Sequence, residues 1–324
     1  MTRSEFLALG GSAALLGLLT GCGAAAAPAA TRRKVALVAK STSTEFWQSV
    51  FAGAQAAAAE YNLELSITGP ETEEDYETQN AMVARAVADG AEALVFSAID
   101  FENNAAAIDA AAAAGVRIVS IDSAVDSAAV KTYIGTDNYA AGRMAAEAVR
   151  GCGFASMNLG LVNYDVNSAN GQQREQGVRD MIAGNLDMCI LDSINVLAEA
   201  ENAQAATAAM LKTFPTINVL IAFNEPVSVG AARAVRELGL AGRVWLVGFD
   251  SNVETVDMLQ SGEVDALIVQ NTYAIGYLGI ESAHRLLTGE GGALSPTVDT
   301  STVTVNLDNL FTIDSQKALF AFEG

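Results

Sequence analysis

Residues 34–61 read KVALVAKSTSTEFWQSVFAGAQAAAAEY, and this stretch decides the fold. Val35 to Ala39 is an unbroken apolar run of strand length, the pattern of a parallel strand buried on both faces. Lys40-Ser-Thr-Ser-Thr follows, hydroxyl-rich and able to cap a helix, and then Val50, Ala54, Ala57, Ala58 and Tyr61 share one helical face. In open α/β sheets, ligands bind outside the carboxyl ends of such strands, beside the unpaired N–H groups of a helix N-terminus. Phe46 and Trp47 sit at that place, where two aromatics serve either the core or a ligand.

Met1 to Cys22 reads as a targeting segment: Arg3 gives a positive start, Leu7 to Leu19 is apolar and small, and the run is short for a membrane span. It ends in Leu19-Thr20-Gly21-Cys22, which resembles the lipobox of bacterial lipoproteins and implies a cleaved signal peptide with Cys22 lipidated in the membrane. Thr2 to Leu7 is similar to a twin-arginine signal with serine for the second arginine, so general secretory and twin-arginine export both stay open. Residues 23–32 are a flexible tether, rich in Ala as far as Ala30.

About 300 residues remain, enough for two domains. Lys and Arg number 18 against 38 Asp and Glu, a net charge of −20. Such a field disfavours nucleic acid and anionic lipid surfaces as partners and serves solubility instead. His284 is the single histidine and reads as a solvated helix residue, which removes most His-dependent catalysis and most zinc sites. No metal and no cofactor are expected. Cys152 and Cys189 each precede an apolar run, and either a disulfide or two buried thiols fits them.

The opening phrase recurs. Strands are expected at Leu63 to Thr68, Ala93 to Ser97, Val116 to Ile121 and Thr132 to Gly135, with helices over Glu73 to Ala88 and Asn103 to Ala114. Leu159 to Val162, Ile190 to Ile194, Val219 to Ala222, Val244 to Gly248 and Ala266 to Val269 repeat the scheme. Alternation of this kind builds right-handed βαβ units, so the chain is read as α/β, two similar doubly wound parallel-sheet lobes. The strands end on Asp122-Ser123, Asn224, Asp250 and Gln270-Asn271. Carboxylates and carboxamides there suit vicinal hydroxyls, and they also suit helix caps; their recurrence beside two aromatics favours a ligand site.

Taken together, Val35-Ala-Leu-Val with Phe46-Trp47, Ile118 to Ser123, Ile134 to Gly142, Arg174-Glu-Gln-Gly177, Phe223-Asn224, Val247-Gly-Phe-Asp250 and Gln270 before Gly276-Tyr resemble the ribose- and galactose-type periplasmic binding proteins of ABC sugar importers. The resemblance covers nearly all of 34–306. It implies a three-segment hinge joining lobes at 33–136 plus 271–295 and 137–270 plus 296–324, a ligand between them, and closure by hinge motion. Carried over, Lys40 and Thr44 contact the ligand, Phe46 and Trp47 stack on it, and Asp122 with Ser123 accepts from hydroxyls. Asp137 and Asn138 stand at the first crossing, and Asn224, Asp250 and Gln270 face them. Ser123 and Gln172 replace the sugar-clamping arginines of ribose-binding members, Arg174 falls at a position more often structural, an aromatic is missing near Leu197 and Ala198, and Lys40 is an added cation.

The implied function is a monomeric, membrane-anchored extracytoplasmic receptor that captures a pentose, hexose or polyol and delivers it to an ABC transporter permease. Two alternatives stay beside it: a sensing receptor for a chemoreceptor or sensor kinase, and a binder of an anionic sugar derivative held by Lys40. An enzyme is disfavoured, because no dinucleotide fingerprint, nucleophile elbow or P-loop follows any strand. A transcriptional repressor would carry a helix-turn-helix in place of the lipobox.

Overall fold

The computed structural model describes residues 32–320. The expected signal peptide, Cys22 and the tether up to residue 31 lie outside them, as does 321–324. The chain runs β1 (Lys34–Val38), α1 (Glu45–Glu60), β2 (Glu64–Thr68), α2 (Tyr76–Ala88), β3 (Ala93–Phe96), α3 (Ala105–Ala113), β4 (Arg117–Ile121) and β5 (Val130–Gly135). It continues with α4 (Asn138–Val149), β6 (Met157–Asn163), α5 (Ala169–Ile182), β7 (Met188–Asn195), α6 (Ala200–Thr213), β8 (Val219–Ala222), α7 (Glu225–Glu237), β9 (Trp245–Phe249), α8 (Val253–Ser261) and β10 (Ala266–Gln270). Last come α9 (Thr272–Thr288), β11 (Thr297–Asp299), β12 (Thr302–Asn306) and α10 (Ile313–Leu319).

Two six-stranded sheets result, ordered β11-β5-β4-β3-β1-β2 and β12-β10-β9-β8-β6-β7. The order is the same in both, so the lobes share one topology apart from the direction of the late edge strand, with β4 matching β9 and β1 matching β6. All pairings are parallel except β10 with β12. The unbroken apolar run of β1 has its reason in the layers. Val35 and Leu37 enter the apolar cluster on one face of the first sheet, and Ala36 and Val38 enter the cluster on the other.

The chain passes between sheets after β5, after β10, and between β11 and β12. The third passage differs from the expected boundary at Ser295 and Pro296. Thr297–Asp299 pairs with β5 in the first sheet, and Tyr133 N–H donates to Pro296 O at 2.9 Å and Thr300 N–H to Gly135 O at 2.7 Å. Residues 296–299 therefore complete the first lobe, and the passage falls at Thr300 and Ser301.

Each lobe is closed by a helix pair that meets backbone to backbone. In the first, Gly53 of α1 faces the Tyr273 carbonyl of α9 and Gly276 of α9 faces the Val50 carbonyl; a Cβ at either would collide with it. In the second, Gly142 of α4 and Gly177 of α5 face the Arg174 and Tyr139 carbonyls in the same way. Glycine inside a helix costs about 0.5–1 kcal/mol against alanine, and the close approach offsets that cost.

Two further expectations change. Helix α2 begins at Tyr76 rather than Glu73, because Asp75 caps it by accepting from Thr78 N–H at 2.9 Å. This leaves Glu73 and Glu74 on a loop. Cys152 and Cys189 are free thiols, and Cys189 is exposed on edge strand β7 rather than buried. His284 stacks on Tyr61 with ring centroids 4.6 Å apart.

Candidate functional site

The carboxyl ends of β1, β4, β6, β8, β9 and β10 converge between the lobes on one polar cavity. The first lobe supplies Lys40, Thr44, Phe46, Glu73 and Asp122 to its wall. Facing them from the second are Tyr164, Asn170, Arg174, Asn224, Glu225, Pro226, Asp250 and Gln270. The space left between these side chains is about 20 Å³, room for one water. A ligand of sugar size does not fit the space as it stands.

Asp122 and Asp250 are equivalent residues, each the first after its strand, and both take left-handed φ, 55° and 65°. That conformation costs a non-glycine residue about 1–2 kcal/mol, least for Asp and Asn, and such strain at a strand end points to function. One Asp122 oxygen accepts from Ser97 Oγ at 2.9 Å and the other from Asn170 Nδ2 at 3.3 Å across the cleft. Asp250 accepts from Gln270 Nε2 at 2.6 Å, and Gln270 in turn accepts from Thr136 Oγ1 at 2.7 Å. Burial raises both carboxyls, Asp250 to about 6, although Lys40 and Arg174 pull Asp122 down and Arg174 does so for Asp250. Each keeps unused lone pairs for a hydroxyl donor.

Arg174 is fully buried and held on three sides. Its Nε donates to Asn138 Oδ1 at 2.8 Å, one Nη to Phe223 O at 2.7 Å, and its plane lies 4.6 Å from the Phe249 ring centroid. The other Nη has no partner. A buried, unpartnered guanidinium N–H against the cavity wall is a donor positioned for a ligand acceptor.

Lys40 is paired on all sides. Its Nζ lies 3.0 Å from Glu73 Oε2, donates to Ser168 Oγ at 3.0 Å, and sits 5.0 Å from the Tyr164 ring centroid. Burial opposes its charge, yet Glu73 and the other acidic neighbours outweigh burial and raise its pKa. A lysine neutralised within the protein does not call for an anionic ligand.

Several expected residues stand elsewhere. Trp47 is buried in the first-lobe core, stacked on Phe51, with its indole N–H donating to Glu73 at 3.0 Å. Neighbours in a helix point about 100° apart, so Phe46 alone of the pair reaches the cavity. Ser123 is buried with its hydroxyl unpartnered and does not line the cavity. Asp137 is exposed and caps α4 through Ala140 N–H at 2.9 Å, while Asn138 acts through Arg174. Gln172 is exposed on α5, in a separate depression at the rim with Asp100 and Asn103. Thr44 both lines the cavity and caps α1, as Asn224 does for α7.

Glu73, Tyr164, Asn170 and Glu225 join the site without having been expected there. Tyr164 was within reach of the strand-end reasoning, since it directly follows β6 and lines the cavity. Among the described residues no cluster of His, Cys, Asp and Glu is arranged to hold a metal.

Comparison with known proteins agrees with this architecture. The chain is 30% identical over 266 residues to a D-ribose/D-allose-binding protein of Pseudomonas aeruginosa, spanning 79% of this chain and 83% of that one. A carbohydrate transporter solute-binding protein from Agrobacterium radiobacter, solved in complex with D-arabinose, superposes with a TM-score of 0.86 at 26% identity, covering 90% of this chain and all of that one. An ABC transporter solute-binding protein from Agrobacterium vitis with bound D-fucose gives 0.84 at 26% identity, over 88% and 99%. The family described as periplasmic binding protein domain matches residues 35–291, and the chain belongs to that family.

Proposed function

We propose that the chain is an extracytoplasmic solute receptor that closes its two lobes on a neutral pentose, hexose or polyol and delivers it to an ABC importer. The observation that carries this reading is the pair of equivalent, strained aspartates, one from each lobe, facing a common cavity with the unpartnered Nη of Arg174. A polyol offers several hydroxyl donors to Asp122 and Asp250 and an oxygen to Arg174, while Phe46 covers a C–H face. The neutralisation of Lys40 by Glu73 favours an uncharged ligand over a sugar acid or phosphate. The sugars of the compared proteins, D-ribose or D-allose, D-arabinose and D-fucose, are pentoses and hexoses, which supports the same class.

A thermal-shift panel of pentoses, hexoses, polyols, sugar acids and sugar phosphates tests it. A ligand at a hundred times its dissociation constant adds about 2.7 kcal/mol to the folded state, and that shift is expected from a neutral member. Stabilisation by acids or phosphates alone would refute the neutral-sugar reading.

Anchoring belongs to the same proposal. The lipobox at Leu19 to Cys22 supports a lipid anchor with the receptor tethered through 23–32. Cys22→Ser should leave a folded, ligand-competent protein in the soluble fraction, and unchanged membrane retention would remove the lipid anchor.

A further inference from the structure

The lobes also meet through carboxylates seated on backbone N–H groups, some at the cavity wall and some beyond it. Glu225, the first residue of α7, accepts across the cleft from Phe46 N–H at 2.8 Å and Glu45 N–H at 3.4 Å, at the start of α1. Glu45 in return accepts from Val253 N–H at 3.3 Å, at the start of α8. Glu74 accepts from Ala198 N–H at 2.7 Å, just ahead of α6.

Helix starts carry N–H groups that their own helix cannot satisfy, and negative charge is favoured there. The local caps take only some of them. Thr44 accepts from Trp47 N–H and leaves Glu45 and Phe46 free; Asn252 accepts from Thr255 N–H and leaves Val253 free. The carboxylates of the opposite lobe take those remaining donors. Asn252 also donates to Glu225 at 2.9 Å, so the two ends of this arrangement are joined.

We propose that Glu45, Glu74 and Glu225 are positioning residues that form one closing latch: each caps a helix start or its approach in the other lobe, and together they hold the lobes shut and seat Phe46 against the cavity. The contacts span the cleft, so parting the lobes breaks all of them at once. Glu74 lies off the cavity wall, which lets the latch be altered without touching the ligand. This goes beyond the sugar reading and depends only on how the lobes close.

Amide hydrogen exchange on the full chain tests it, first without sugar and then with D-allose as the probe. In whichever state the wild type protects the amides of Phe46, Ala198 and Val253, Glu74→Ala should speed exchange at Phe46 and Val253 by about three- to tenfold, although Glu74 touches neither. Glu74→Gln, which keeps an acceptor for Ala198, should restore most of the protection. Where D-allose binds, Glu74→Ala should release it about three- to tenfold faster with little change in its entry rate. Faster exchange confined to Ala198 would overturn the latch, and so would free exchange at all three amides in the wild type in both states. The sugar reading fails separately, if no sugar in the panel binds while the exchange pattern holds.

Discussion

Gly276→Val lowers the melting temperature by roughly 5 °C or more, the expected effect of a loss of about 3 kcal/mol or more in a chain of this size. The reason is the backbone contact between α1 and α9. A side chain at Gly276 meets the Val50 carbonyl and the Ala54 amide, which belong to a helix and cannot move as a flexible side chain would. The helices must separate. Separation opens the apolar cluster beneath them, where Val50, Ala54, Ile275 and Ile280 are packed without solvent contact. Gly142→Val should do the same to α4 and α5 in the second lobe, and there the displaced Arg174 backbone would also disturb the cavity. Gly292 has open space around it and ordinary backbone geometry, so Gly292→Val serves as the control and should stay within about 0.5 kcal/mol of the wild type. Differential scanning calorimetry decides the matter, and a Gly276→Val protein melting with the control would show that the helices are not locked.

The second large effect concerns ligand affinity. Asp122→Ala and Asp250→Ala should each weaken a bound sugar by roughly ten- to a hundredfold, because a hydrogen bond to a charged acceptor contributes about 1.5–3 kcal/mol and each 1.4 kcal/mol is tenfold. Alanine also fits the left-handed turn poorly. Asparagine tolerates that turn and keeps one acceptor, so Asp122→Asn and Asp250→Asn separate the carboxylate from the backbone and should lose about tenfold. Lys40→Met combined with Glu73→Gln removes the internal ion pair while leaving neither charge alone, and it should affect neutral sugars alike. Titration calorimetry reads all of these. Full-strength binding by both alanine variants would sink the site, and a salt-dependent loss confined to an anionic sugar in the Lys40 variant would favour the charged ligand.

What could be read from the chain alone follows physical lines. Buried parallel strands such as β1 and β8 are continuous apolar runs, so their places and order were legible, and with them the strand ends that carry Asp122, Asn224, Asp250 and Gln270. The last strands were not, because β11 and β12 are short, rich in Thr and partly exposed, and only pairing with β5 and β10 makes them strands. Glu73 was hidden by reading an acidic helix start where Asp75 in fact caps, and Asn170 lies inside a helix where no local pattern marks it. Trp47 could have been placed in the core from helix geometry alone.

The first lobe is finished by distant chain. Helix α1 waits for α9, and β5 waits for β11, since both late elements follow five of the six strands of the second sheet. During synthesis at about 5–20 residues per second, the roughly 210 residues between the end of α1 and the start of α9 take roughly 10 to 40 s to emerge. Through that interval the part of α1 that meets α9 has no partner, and the first lobe cannot take its final form. The lobe that begins the chain is thus among the last parts of it to be completed.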